Sequence, residues 1–198
     1  MGRPKFTDAD FFDAALTIAV ERGPLAVTVG SIAERLRAPT GSFYHRFASR
    51  DVLLGELWLR TVLDFQRGIA AALDAGDALR AALHTPAWVR DHPDEARLLL
   101  LHHRDDFVQG EWPAPLRGGV AEHTRRGEGR LRQFAALVFG RTGPDEIRLS
   151  QFLLAELPVS VVRQHLRRCE PPPPIVDELI RVTYRAVLDN YRAGSGAE

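Results

Sequence analysis

Along nearly the whole chain, apolar residues return every third or fourth position, and no stretch alternates apolar with polar as a half-buried strand would. A repeat near 3.6 is that of a helix with one buried face; a strand needs a repeat of two. An all-α fold is therefore expected. Proline sets the punctuation, because it lacks an N–H and its ring clashes with the preceding turn. Pro24, Pro39, Pro86, Pro93, Pro113, Pro115 and the run Pro171, Pro172, Pro173, Pro174 mark boundaries, and Pro158 interrupts an otherwise helical run and predicts a kink or split there.

Thr7, followed by the acidic Asp8 and Asp10, caps a first helix with the apolar face Phe11, Phe12, Ala15, Leu16 and Ala19, ending at Gly23 and Pro24. Thr28 is a good N-cap for a short second helix through Leu36. Arg37 and Ala38 make a turn, Pro39 takes a tolerated first helical position, and residues 40–47 make barely two turns. A fourth helix starts at Ser49, carries Asp51 in its first turn, and runs through Leu53, Leu57, Trp58, Val62 and Phe65. Helices this short are marginal alone, so they must pack as a three-helix bundle with the fourth as a strut. Longer helices follow at roughly 76–91, 93–109, 114–126, 130–140, 145–168 and 173–192. The expected division is an N-terminal module over residues 1–55 and a C-terminal module over 56–198.

With 198 residues, 45% of them hydrophobic, the chain can bury a core without covalent staples. Its single cysteine, Cys169, rules out an intrachain disulfide framework and suits a reducing compartment. No apolar run approaches the ~18 residues of a membrane span, and MGRPKFTDAD lacks the apolar core of a signal peptide. A cytoplasmic protein without membrane attachment is expected. Net charge is zero, so the bulk signature of a nucleic-acid binder is missing. Locally, residues 28–50 hold four arginines, Arg35, Arg37, Arg46 and Arg50, against Glu34 alone, an excess of three with His45 as a further donor.

Two short helices joined by a tight turn, with the small Ala33 at their contact, describe a helix-turn-helix over about residues 28–47. Ile32, Leu36, Phe43 and Phe47 can make its core, which leaves Thr40, Gly41, Ser42, Tyr44, His45 and Arg46 free to face outward. Hydroxyls of Thr40, Ser42 and Tyr44 can bond phosphate oxygens or base edges. Gly41 costs about 1 kcal/mol in a helix relative to alanine, but lets backbone lie close to a sugar-phosphate chain. Helix starts at Thr28, Thr40 and Ser49 can offer N–H groups to phosphates. Short helices, glycines and surface hydroxyls also occur in ordinary bundles, so spacing alone leaves both readings open.

Residues 27–58, VTVGSIAERLRAPTGSFYHRFASRDVLLGELW, resemble the N-terminal signature of the tetracycline-repressor (TetR) family of bacterial regulators: a Thr-Val opening, Ile-Ala-Glu, a turn, Gly-Ser-aromatic-Tyr-His-x-Phe, then Ser-Arg-Asp-x-Leu-Leu. With the first helix, the match covers about 50 residues. The resemblance implies that Thr28 caps the second helix and contacts phosphate, and that Thr40, Gly41 and Ser42 meet base edges or backbone in the groove. It places Tyr44 and His45 at phosphates or bases and Arg50 near phosphate. Arg3 and Lys5 lie on an arm that enters the minor groove or is simply a tail. Three positions depart from the pattern: Arg37 stands at a turn position usually glycine, Pro39 replaces a common serine cap, and Gly30 takes a mid-helix place often charged. The remaining 140 or so residues resemble the family only in helical content and length.

The resemblance implies a homodimer on a near-palindromic operator, with a small-molecule effector in the C-terminal module. Independently, the last helix carries two apolar stripes: Ile175, Leu179, Val182, Ala186; and Val176, Ile180, Tyr184, Val187, Tyr191. Two apolar sides need two partners. The second stripe, with Phe152, Leu157 and Val161, is assigned to a dimer interface of four helices. For a hydrophobic effector, Phe65, Trp88, His102, His103, Phe107, Trp112 and Phe134 are the candidate lining. No HxxxH or HExxH spacing points to a metal, no GxSxG or phosphate loop to an enzyme, and no cofactor is implied. The function expected is a ligand-released repressor. The alternatives are a constitutive DNA binder or activator without an effector and, from a different class, a helical ligand-binding protein or small enzyme with a vestigial N-terminal bundle.

Overall fold

The computed structural model describes residues 6–108 and 110–195, with the side chains of residues 104 and 195 left aside. Arg3 and Lys5 lie outside the described residues. The fold is all-α: α1 (Asp8–Arg22), a 3-10 turn (Pro24–Ala26), α2 (Val29–Leu36), α3 (Thr40–Tyr44), α4 (Arg50–Asp74), α5 (Ala78–Ala82), α6 (His84–Asp91), α7 (Pro93–Leu101), α8 (Arg104–Phe107), α9 (Ala114–Phe139), α10 (Pro144–Gln151), a π-helical turn (Phe152–Glu156), α11 (Leu157–Arg168) and α12 (Ile175–Ser195).

The chain forms two compact units, Met1–Val62 with Asp94–Ala121, and Leu63–Pro93 with Glu122–Glu198. The segment 1–55 thus lies in a unit that also recruits residues from much later in the chain. α1 begins as its sequence implies: the Thr7 hydroxyl accepts from the Asp10 N–H while the Asp10 carboxylate accepts from the Thr7 N–H. Phe11, Ile18, Val27, Ile32, Phe43, Leu53 and Leu54 are completely buried, and Phe107, Val108, Trp112 and Leu116 join the same cluster. Phe11 meets the rings of Phe43 and Phe47 edge-on at 6.1 and 5.9 Å, which locks α3 onto α1. At Gly55 a β-carbon would stand 2.4 Å from Leu116 Cδ1 and 3.1 Å from the Trp112 ring, so α4 and α9 approach closer there than any side chain would allow.

In the second unit, α6 packs on α11 and α5 on the π-helical turn. His84 fills the notch left by Gly68, its Nε2 2.7 Å from the Phe65 carbonyl, and the Trp88 indole donates to Asp64 at 3.1 Å. Arg90 donates to the Pro172 carbonyl at 2.8 Å and pairs with Asp177, which ties the proline run to the start of α12. Pro158 does not split its helix. Its missing N–H and bulky ring are absorbed by the preceding π turn, where the Leu157 N–H reaches back five residues to Phe152, and the helix continues.

Several boundaries differ from expectation. The helix expected at 76–91 divides at Leu83, and 93–109 divides after Leu101. The two helices expected at 114–126 and 130–140 are one, continuous through Gly127 and Gly129. Gly30 is not mid-helix but the second residue of α2, where its helix-weakening effect is small.

Candidate nucleic-acid interface

The surface built by α2, its turn and α3 rests on two caps. The Thr28 hydroxyl accepts from the Ser31 N–H at 3.0 Å and the Ser31 hydroxyl accepts from the Thr28 N–H at 2.9 Å, so α2 starts on a reciprocal pair. α2 ends in a left-handed Arg37 (φ 51°, ψ 41°), with Ala38 N–H returning to the Ala33 carbonyl at 2.9 Å. A side-chain-bearing residue costs about 1 kcal/mol in that conformation, and here it is an arginine whose side chain stands in solvent. Pro39 then opens α3 at φ −60° with no side-chain cap.

α3 has two faces. Phe43 and Phe47 point inward, 0% and 3% exposed, whereas Tyr44 is 62% exposed, Thr40, Gly41 and His45 stand in solvent, and Ser42 is half-buried. A large aromatic side chain left that open on a five-residue helix does nothing for the fold beyond its edge contact with Phe43 at 5.4 Å. Around Gly41 a β-carbon would meet nothing within 4 Å. Internal packing therefore does not require glycine there, although glycine weakens the helix by about 1 kcal/mol.

Two of the arginines expected at DNA point elsewhere. Arg46 donates to the Asp8 carboxylate and the Phe6 carbonyl, and only 23% of its side chain is exposed. Arg50 donates to the carbonyls of Val27 (2.6 Å), Pro24 (2.8 Å) and Phe107 (3.3 Å) and to Asp51 (2.9 Å). Its guanidinium braces the turn before α2 and the end of α8 against α4; the phosphate role implied for it is corrected, because four of its hydrogen bonds are internal. Arg35 is held by both carboxylate oxygens of Glu21, at 3.0 and 3.2 Å. Among the described residues, Arg37 is the one arginine of the four whose side chain makes no hydrogen bond or ion pair, its backbone N–H donating to the Glu34 carbonyl at 3.1 Å. The local excess of arginines over residues 28–50 was the signal for it, although the sequence did not single Arg37 out from the other three.

The candidate effector residues do not come together as one set. Phe107 and Trp112 are buried in the first unit, Trp112 5.2 Å from the Trp58 ring. There His102 packs edge-on to Phe107 and lies 3.8 Å from Asp106, its pKa lowered by burial, and His103 is exposed. Phe65, Trp88 and Phe134 belong to the second unit, where Phe65 meets Trp88 edge-on at 5.1 Å and Phe134 meets Tyr184 at 6.4 Å. The second unit also holds Thr85, 1% exposed, whose hydroxyl has no hydrogen-bond partner. Burial lowers the pKa of its neighbour His84 and of His123, whose Nδ1 is 3.0 Å from Gln66 Oε1.

The α12 stripe expected at a dimer interface is partly core. Val176, Ile180 and Tyr184 are buried in their own unit at 2%, 0% and 9%, and are corrected from partner-facing to core, because α12 closes over α11 and α5. Ile175, Leu179 and Val182 are outside at 60%, 50% and 54%. Phe152, Leu157, Val161, Val187 and Tyr191 are half-buried, and the Tyr191 hydroxyl donates to the buried Glu146 at 2.6 Å. Val187 and Tyr191 join Leu149, Val182 and Ala186 around an open, mainly apolar cleft of about 410 Å³. Among the described residues no group of three or more His, Cys, Asp or Glu could hold a metal ion, and no helix is long and apolar enough to cross a membrane.

Residues 11–57 match the family described as bacterial regulatory proteins, tetR family. The chain is 27% identical over 139 residues to the HTH-type transcriptional repressor KstR2 of Rhodococcus jostii (strain RHA1), covering 60% of this chain and 68% of that protein. Its fold is similar to a tetR family transcription regulator from Shewanella sp. PV-4 (TM-score 0.66, 19% identity, 94% of this chain and 97% of that one). It is also similar to the ketosteroid transcriptional regulator KstR2 of Mycobacterium tuberculosis (TM-score 0.65, 16% identity, 94% and 95%). The matched residues are those that build α1 to the first turns of α4, with the two-faced α3 at their centre, and this N-terminal segment is that of the TetR family of bacterial regulatory proteins.

Proposed function

We propose that the chain is a repressor that binds a near-palindromic operator as a homodimer and lets go when a small, mainly apolar molecule occupies its C-terminal domain. The carrying observation is α3: a short helix anchored by buried Phe43 and Phe47 that presents Thr40, Gly41, Ser42, Tyr44 and His45 outward, with Gly41 unexplained by packing. In the major groove, Thr40 and Ser42 read base edges, the bare backbone at Gly41 sits against the sugar-phosphate chain, and Tyr44, His45 and Arg37 hold phosphates. The Thr28 hydroxyl, engaged as a cap, leaves the start of α2 for phosphate.

Dimerisation is supported by the exposed Ile175, Leu179 and Val182 and the neighbouring cleft. An effector site in the second unit is supported by its aromatic side chains and by the orphan Thr85 hydroxyl, a buried polar group that a ligand would satisfy. The relationship to KstR2, a repressor whose mycobacterial counterpart is a ketosteroid regulator, supports repression and a bulky apolar effector class. Release requires the effector to prefer the state that does not bind DNA.

Selection of bound duplexes from a random library, followed by gel shift, tests the reading. Tyr44→Ala is expected to weaken binding to all selected duplexes alike, and Thr40→Ala or Ser42→Ala to change which duplexes are preferred. Recovery of no common sequence would overturn the operator reading, and operator binding that no apolar compound releases would favour a constitutive binder.

A further inference from the structure

We propose that Arg37 sets binding against stability: the turn between α2 and α3 keeps an arginine in a conformation that favours glycine, because its guanidinium is the cation that this surface brings to a phosphate. The inference rests on the DNA-binding reading above and adds which charge carries its salt dependence and what the fold gives up for it. Arg37 closes α2 at φ 51° and ψ 41°, a left-handed conformation that disfavours any residue with a β-carbon. Elsewhere among the described residues, Gly23, Gly76, Gly110 and Gly140 take positive φ, and Cys169 is the one other residue with a side chain that does. The turn cannot relax locally. Arg37 N–H donates to the Glu34 carbonyl at 3.1 Å, Ala38 N–H to the Ala33 carbonyl at 2.9 Å, and Pro39 follows with its φ fixed by the ring.

Within the folded chain little offsets this strain. The Arg37 side chain is exposed and makes no hydrogen bond or ion pair among the described residues; what remains is a weak, solvent-screened attraction to the C-terminal end of the α2 dipole. The three neighbouring arginines are all engaged: Arg35 by Glu21, Arg46 by Asp8 and the Phe6 carbonyl, Arg50 by the carbonyls of Val27 and Pro24. Pro39, Thr40 and Gly41, which follow the turn, are exposed as well, so the free guanidinium stands at the rim of the surface that α3 presents. A planar fork of N–H donors in that place matches a phosphate with two parallel hydrogen bonds.

The test measures thermal unfolding, and binding to a library-selected duplex across a range of salt, for the unaltered chain, Arg37→Gly, Arg37→Ala, Arg37→Lys and Arg35→Ala. Arg37→Gly is expected to hold the thermal midpoint or raise it by up to about 4 °C. The same variant is expected to lower the slope of log affinity against log salt by about 0.9 for each chain bound, with weaker binding to every selected duplex alike. Arg37→Ala leaves a β-carbon in the left-handed turn and is expected to lose the same slope without a gain in midpoint. Arg37→Lys restores the charge and is expected to recover the slope. Arg35→Ala removes a charge already held by Glu21 and is expected to leave the slope unchanged. A lower midpoint for Arg37→Gly would show that the arginine supports the fold and would overturn the proposal. So would an unchanged slope in Arg37→Gly and Arg37→Ala, a loss in Arg37→Gly alone, which would trace the effect to turn flexibility, or an equal loss in Arg35→Ala, which would reduce it to general charge. Failure of the unaltered chain to prefer any duplex sinks the DNA-binding reading first, and that protein alone reports it.

Discussion

Arg50 and Arg37 stand in surroundings opposite to those that their positions in the sequence imply. Arg50 donates to the carbonyls of Pro24, Val27 and Phe107 as well as to Asp51, while Arg37 stands in solvent on a left-handed turn. Arg50→Ala takes the guanidinium from the carbonyls of Val27, Phe107 and Pro24, the last of which keeps the Val27 N–H, and is expected to destabilise the protein by about 2 kcal/mol. Urea unfolding checks the loss, and an unchanged salt slope for DNA binding separates bracing from phosphate contact. The inward and outward residues of α3 were legible, because Phe43 and Phe47 are four apart and Tyr44 is about 100° from Phe43. The destination of an arginine was not. Arg46 finds Asp8 38 residues away and Arg50 finds Val27 23 residues away, and no local pattern carries such pairings.

Elements were legible where a cap or a proline acts within one turn. Thr7 with Asp10, Thr28, the left-handed turn at Arg37 and the start of α3 after Pro39 all fall where local chemistry sets them. Glycine misled: Gly127 and Gly129 read as a break, yet α9 runs through both, with Gly127 facing Gln66. Tertiary contact outweighs a propensity cost of about 1 kcal/mol per glycine. Gly68 in α4 shows the same principle: a β-carbon there would meet the His84 ring at 2.0 Å, and that ring is held at the Phe65 carbonyl. Gly68→Ala is expected to destabilise the protein by about 1–3 kcal/mol in spite of the gain in helix propensity, read as a lower thermal midpoint. The two stripes of α12 were visible as stripes, but which one the unit buries depends on α5 and α11, whose packing on it no periodicity encodes.

For the molecule as a whole, a net charge of zero leaves no general attraction to nucleic acid, so affinity has to come from a few placed contacts. On the α2–α3 surface the proposed contacts are Thr28, Arg37, Thr40, Ser42, Tyr44 and His45 around the open backbone of Gly41, carried by a bundle with a buried aromatic core. The N-terminal bundle was legible because its caps, turn and buried aromatic residues follow one another closely in the sequence. The candidate effector residues did not read as separate sets, yet they fall into two compact units. The most direct test is a titration of a selected palindromic duplex by fluorescence anisotropy at several salt concentrations, with the mass of the complex measured alongside. The account predicts two chains per duplex, an affinity falling steeply as salt rises, and at least a thousandfold preference over a scrambled duplex. Equal affinity for the scrambled duplex, or a single chain bound without salt dependence, would contradict it.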